Sequence, residues 1–81
     1  MNLNQLIYAS EINRLGSFSR AAQTLYISQS ALSKSIHALE LELEQEIFIR
    51  TTEGITTTDF GRAFLAEAEK TLQHVDRIKS M

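Results

Sequence analysis

Apolar residues recur at intervals of three and four over most of this chain, and the period switches once, past the middle, to alternation. Leu3, Leu6, Ile7 and Ile12, with Ala9, mark a helical stripe over residues 3–14. Gly16 ends it. Ala21, Ala22 and Leu25 give a short second helix its inner face, with Phe18 packing at the entry and small alanines permitting a close crossing. Ser17 or Ser19 is placed to accept a hydrogen bond from a free amide at its start. Tyr26 and Ile27 form the turn, which lacks the glycine often found there. Ser28 is the expected cap of a third helix running from Gln29 to about Leu43. A rotation of about 100° per residue puts Leu32, Ile36, Leu39 and Leu43 on one side of it. Gln29, Ser30, Ser33, Lys34 and His37 share an arc of roughly 140° elsewhere on the same helix.

After Glu46 the alternation sets in. Ile47, Phe48, Ile49 and Arg50 precede a turn containing Gly54, and Ile55, Thr56 and Thr57 follow it, which reads as a two-stranded hairpin or wing. Thr58 then caps a last helix, with Asp59 favourably placed at the positive end of its dipole. Phe60, Phe64, Leu65, Ala68, Leu72, Val75 and Ile78 continue its apolar stripe. A helix of some 20 residues outruns so small a core. Phe64, Leu65, Ala68, Leu72 and Val75 are therefore the expected seam with a second subunit. The chain divides into a unit over residues 1–58 and a linker helix over 59–81. Tyr8 and Tyr26 are expected as packing residues.

Composition narrows the possibilities. With 81 residues and 43% hydrophobic content the chain supports one small domain, which gains from association. There is no cysteine, so neither a disulfide nor a thiolate metal site is available. His37 and His74 have no partner at metal-ligand spacing, and neither a metal nor a cofactor is expected. No basic leader and no apolar run of membrane-spanning length occurs, which predicts a cytoplasmic protein with no membrane partner. Eight serines form no nucleophile motif. Ser30 and Lys34 are four apart, not in a Ser-x-x-Lys pattern, and no glycine-rich phosphate loop exists, so no enzyme is expected.

The net charge of -2 argues at first against a nucleic-acid partner. Its distribution reverses the argument. Residues 12–39 hold Arg14, Arg20 and Lys34 with no carboxylate, whereas residues 40–46 hold Glu40, Glu42, Glu44 and Glu46, read as a solvated helix end. The polar face of the third helix is thus uncharged or basic, as major-groove reading requires. A Gln amide pairs with adenine, a Ser hydroxyl serves most bases, and Lys donates to guanine or phosphate. The alternative is an interaction module that dimerises through the last helix without meeting DNA.

The run SFSRAAQTLYISQSALSKSIHALELELEQEIFIRTTEGITTTDFG closely resembles the N-terminal domain of LysR-type transcriptional regulators. GSFSRAA, SQSALSKSIHALE and IFIR, then a Thr and Gly opening the next helix, stand in the family's order and spacing from Leu3 to about Leu72. The resemblance implies a mainly α, winged helix-turn-helix fold: a three-helix core and a short two-stranded wing, followed by a long dimerisation helix. It also implies a homodimer on promoter DNA. Family members continue into a larger effector-binding domain, so this chain resembles the DNA-binding and linker part alone, with no small-molecule ligand of its own. The resemblance places Gln29, Ser30, Ser33 and Lys34 in the major groove. Ser17, Ser19, Arg20, Ser28 and His37 fall at the DNA backbone, and Arg50 anchors the wing near a phosphate or the minor groove. Three positions depart from the pattern. Glu53 replaces a basic residue at the wing tip, where a minor groove would repel its carboxylate. Glu44 replaces a helix-ending glycine, which predicts an ending other than a left-handed cap, and Thr57 replaces an apolar residue.

Overall fold

Side-chain oxygens start all the helices of the computed structural model, which describes residues 1–81. Asn2 accepts the Gln5 amide at 2.9 Å while the Gln5 side chain accepts the Asn2 amide at 3.1 Å, opening α1 (Leu3–Leu15). Ser17 accepts from Arg20 N at 3.1 Å and opens α2 (Phe18–Leu25); Ser19 only meets the Ser17 hydroxyl, at 3.2 Å. Ser28 accepts from Ala31 N at 3.0 Å and opens α3 (Gln29–Leu43). Strands β1 (Phe48–Thr51) and β2 (Gly54–Thr57) pair antiparallel with Arg50 opposite Ile55. Thr58 accepts from Gly61 N at 2.8 Å and opens α4 (Asp59–Lys79).

Three helices end in the left-handed region, but only one of them on glycine. Gly16 has φ 66°, Tyr26 φ 58° and Glu44 φ 55°. The expected departure at Glu44 is therefore corrected: the helix ends as it would on glycine. Gln45 N reaches Glu40 O at 3.2 Å and Glu44 N reaches Leu41 O at 3.3 Å, and these paired bonds offset the strain of a side chain in that conformation. The turn after α2 repeats the pattern, with Ile27 N on Ala22 O at 3.1 Å and Tyr26 N on Gln23 O at 3.2 Å. Tyr26 is also corrected as a packing residue, because at 95% exposure its side chain leaves the turn into solvent.

Leu32, Ile36 and Leu39 of α3 are buried with Ala9 and Ile12 of α1, Phe18, Ala21 and Ala22 of α2, and Ile47, Phe48 and Leu65. Tyr8, Leu25, Leu43, Phe60 and Phe64 pack around this cluster. Leu3 and Ile7, expected in the α1 stripe, are 47% and 40% exposed; the buried stripe is the narrower line of Leu6, Ala9 and Ile12. Helix α4 runs back along α1, where the Ser10 hydroxyl donates to Glu69, and the end of β2 joins the same helix through a bond from Thr57 to Asn13. That packing corrects part of the expected seam. Leu65 and Ala68 are buried within the protomer, so they are not free to meet a partner, whereas Leu72 and Val75 are half-buried and Ile78 is 67% exposed. No helix is long and apolar enough to cross a membrane.

An ion pair on the surface of α1 reaches α2 through a hydroxyl. Glu11 accepts from Arg14 Nε and Nη2, both at 2.8 Å, and from the Thr24 hydroxyl of α2 at 2.6 Å. These bonds, led by the one from Arg14, lower the Glu11 pKa from 4.5 to about 2. A carboxyl lowered by folding contributes stability above its unfolded pKa and loses it as pH falls toward the folded value. Glu11→Gln should cost under about 1 kcal/mol at neutral pH, given the exposure of Arg14. Urea midpoints should show the gap between variant and parent closing as pH drops from about 4.5 to 2. A gap that stays constant over that range would assign the effect to another cause.

Candidate nucleic-acid interface

The buried residues of α3 dictate what its other faces offer. With Leu32, Ile36 and Leu39 turned into the core, Gln29, Ser30, Lys34 and His37 are exposed and Ser33 is half-buried. A bond from Gln5 Nε2 to Ser35 O, at 3.3 Å, ties the middle of the helix to α1. Helices α2 and α3 have no acidic residue in their first turns, although carboxylates there would be stabilising. Both positive ends are left for an external anion. Ser17 and Ser28 use their oxygens as caps, which fixes those hydroxyls at the helix starts.

Arg50 is central to this surface. Its guanidinium lies 3.7 Å from the centroid of the Phe18 ring, and Nη2 donates to Ser33 Oγ at 2.5 Å. Phe18 in turn meets Phe48 edge-on, with centroids 5.9 Å apart. The wing is thereby tied to both helices of the helix-turn-helix. On one side of Arg50 a hollow of about 190 Å³ collects Ser17, Ser19 and Gln29; on the other a crevice of about 410 Å³ collects Ser33 and His37. Ser28, Ser30 and Lys34 are exposed on α3 or at its start, and Arg20 on α2, beside these hollows. Arg20, Lys34 and Arg50 belong to no ion pair, since the pairs in the chain involve the N-terminus, Arg14, Arg62 and Lys70. None of the three is paired with a carboxylate, although Glu40 and Glu46 line the crevice that Arg50 shares.

The acidic run divides into separate tasks. Glu40 is only half-buried, and its Oε2 accepts the backbone amides of Ile47 at 2.7 Å and Phe48 at 3.2 Å. Its reading as part of a solvated helix end is corrected: it joins α3 to the root of the wing. No spacing signal marks this, because the bond closes a loop rather than a helical turn. Glu42 meets the N-terminal ammonium at 2.5 Å, and Glu44 and Glu46 are exposed. At the wing tip Glu53 is exposed and unpaired, while the Thr51 hydroxyl accepts from Glu53 N and donates to Gly54 O, both at 3.3 Å. No cation stands beside it.

Three short helices with a two-stranded wing after the third, and a polar helix face held over an apolar one, define a winged helix-turn-helix domain. Residues 3–62 match the profile of the bacterial regulatory helix-turn-helix proteins of the lysR family, and the chain belongs to that family. It is 38% identical over 77 residues to the nitrogen assimilation regulatory protein nac of Klebsiella aerogenes, an alignment covering 95% of this chain and 25% of that protein. It is likewise 38% identical to the transcriptional regulator TfdT of Cupriavidus pinatubonensis, over 95% of this chain and 34% of the other. The chain thus spans about a fifth to a third of the length of the curated relatives it matches. Among solved structures, the BenM DBD in complex with catB site 1 DNA superposes with a TM-score of 0.96 at 37% identity, covering 100% of this chain and 91% of that one. Full-length CbnR, a LysR family transcriptional regulator, gives 0.92 at 31%, over 99% of this chain and 28% of that one.

Proposed function

We propose that this chain is the DNA-binding part of a LysR-family transcriptional regulator, without catalysis of its own, acting on promoter DNA in the cytoplasm. Helix α3 enters the major groove. Gln29, Ser30, Ser33 and Lys34 face base edges, while Ser17, Ser19, Arg20, Ser28, His37 and Arg50 lie toward the backbone. The observation that carries this reading is the exposed, carboxylate-free face of α3, flanked by three cations that form no ion pair within the chain. The likeness to domains solved with DNA supports it.

Residues 1–58 form the reading unit. Helix α4 serves as linker, its first half sharing the core through Leu65. Two copies pair through the later part of α4, where Leu72 and Val75 remain half-covered, and Phe64 borders the seam. A pseudo-palindromic site follows from such a pair, with half-site spacing set by the dimer.

The test is selection of bound duplexes from a random pool, then titration of the selected duplex at several salt concentrations. Affinity should fall log-linearly with salt, and Lys34→Ala should weaken binding about tenfold and reduce the slope by about one. A slope unchanged by the substitution removes Lys34 from the phosphate contacts. If the chain binds no duplex at any salt while still dimerising, the interaction-module reading replaces this one.

A further inference from the structure

We infer that Arg50 acts on sequence preference through Ser33, as a positioning residue that turns the Ser33 hydroxyl into a hydrogen-bond donor aimed at the major groove. The inference rests on the DNA-binding reading and adds to it a chemical class of base at one position. Its starting point is the polarity of one bond. A guanidinium has donors and no acceptor, so in the contact between Arg50 Nη2 and Ser33 Oγ the serine oxygen must accept. One of its lone pairs is thereby occupied, and the hydroxyl proton must point elsewhere.

A serine in a helix often sends that proton back to the carbonyl four residues earlier. Thr71 does so to Glu67 O at 3.1 Å and Ser80 to Asp76 O at 2.6 Å in this chain. Ser33 makes no such bond, and its proton is left for an external acceptor. Donation from a charged group also polarises the hydroxyl, which strengthens it as a donor.

The geometry holding Arg50 is specific to arginine. Its Cζ lies over the ring of Phe18, 3.7 Å from the centroid, and that ring is only 7% exposed and braced by Phe48, which holds the guanidinium where Nη2 meets Ser33. It forms no ion pair with any carboxylate. A hydroxyl fixed as donor accepts guanine, adenine or thymine, which present N7, O6 or O4 in the major groove, and discriminates against cytosine, which presents only its amino group there. Unassisted, the same hydroxyl would serve either kind of base.

The experiment compares selected sequences for the parent, Ser33→Ala, Arg50→Met and the double variant, with thermal melts confirming that each is folded. Ser33→Ala should relax one position per half-site and so identify it. Arg50→Met should admit cytosine at that same position about fivefold more readily, and the double variant should relax it no further than Ser33→Ala alone. Arg50→Lys keeps the charge without the planar fork; it should hold the salt slope yet lose most of the discrimination, and it carries the comparison if Arg50→Met does not fold. The inference is overturned if Arg50→Met weakens every sequence equally, or if Ser33→Ala relaxes no position. Absence of salt-dependent binding by the parent would instead overturn the DNA-binding reading itself.

Discussion

Gly61→Ala is expected to destabilise the domain by about 2–3 kcal/mol, although in most helices the same change is stabilising. A Cβ built at Gly61 would lie 2.3 Å from the carbonyl oxygen of Ile47 and 2.9 Å from Thr57 Cγ2. The first obstacle is backbone and cannot rotate away. That carbonyl already accepts Thr58 N at 2.9 Å, and Ile47 is fully buried, so moving it loses a hydrogen bond and opens the core. The helix-propensity gain of up to about 1 kcal/mol offsets only part of this. For a domain of this size the net loss corresponds to a melting temperature lowered by roughly 10–20 °C, measured at fixed protein concentration because association also shifts it. An unchanged melting temperature would show that α4 does not pack against the wing root as closely as this. The consequence reaches the interface, since Ile47 and Phe48 position the strand that carries Arg50.

What the residue pattern reveals and what it conceals separate along one physical line. The helix starts at Ser17, Ser28 and Thr58, the alternation from Ile47 to Thr57, and the burial of Leu32, Ile36 and Leu39 all follow from interactions within a few residues of each other. Periodicity reports those directly. It is silent where the partner is distant in the chain. The Arg50–Ser33 bond spans 17 residues and the Ser10–Glu69 bond 59, so neither leaves a local trace. Leu65 and Ala68 fit the α4 stripe whether they meet α1 or a second subunit, and only the path of α4 back along α1 decides. Tyr26 and Glu44 mislead for a different reason: each adopts a backbone conformation that glycine usually signals, held there by the paired bonds of its helix ending. The exposed polar face of α3 was legible because the absence of carboxylates from residues 12–39 is itself a local pattern. The hydrogen bond that orients one of its serines was not.

Glu40→Ala should be as damaging as the glycine change, with a loss of about 3 kcal/mol. The carboxylate sits in the last turn of α3, an unfavourable place for negative charge near the helix dipole, so its position there needs a compensating interaction. Its Oε2 supplies one by accepting two backbone amides, Ile47 N at 2.7 Å and Phe48 N at 3.2 Å, as the chain leaves the helix for the wing. Ile47 and Phe48 are both buried, which leaves their amides little access to water once the acceptor is gone. Each orphaned amide costs about 1–3 kcal/mol, and both are lost together. Glu40→Gln retains a carbonyl oxygen at the same reach and should cost only about 1 kcal/mol, the difference between a charged and a neutral acceptor. Amide hydrogen exchange at Ile47 and Phe48 separates this from generic helix weakening: in Glu40→Ala those two amides should lose protection more than the amides of Leu32 and Ile36. Equal loss across all four would mean that α3 itself had frayed, and the wing root would need another anchor.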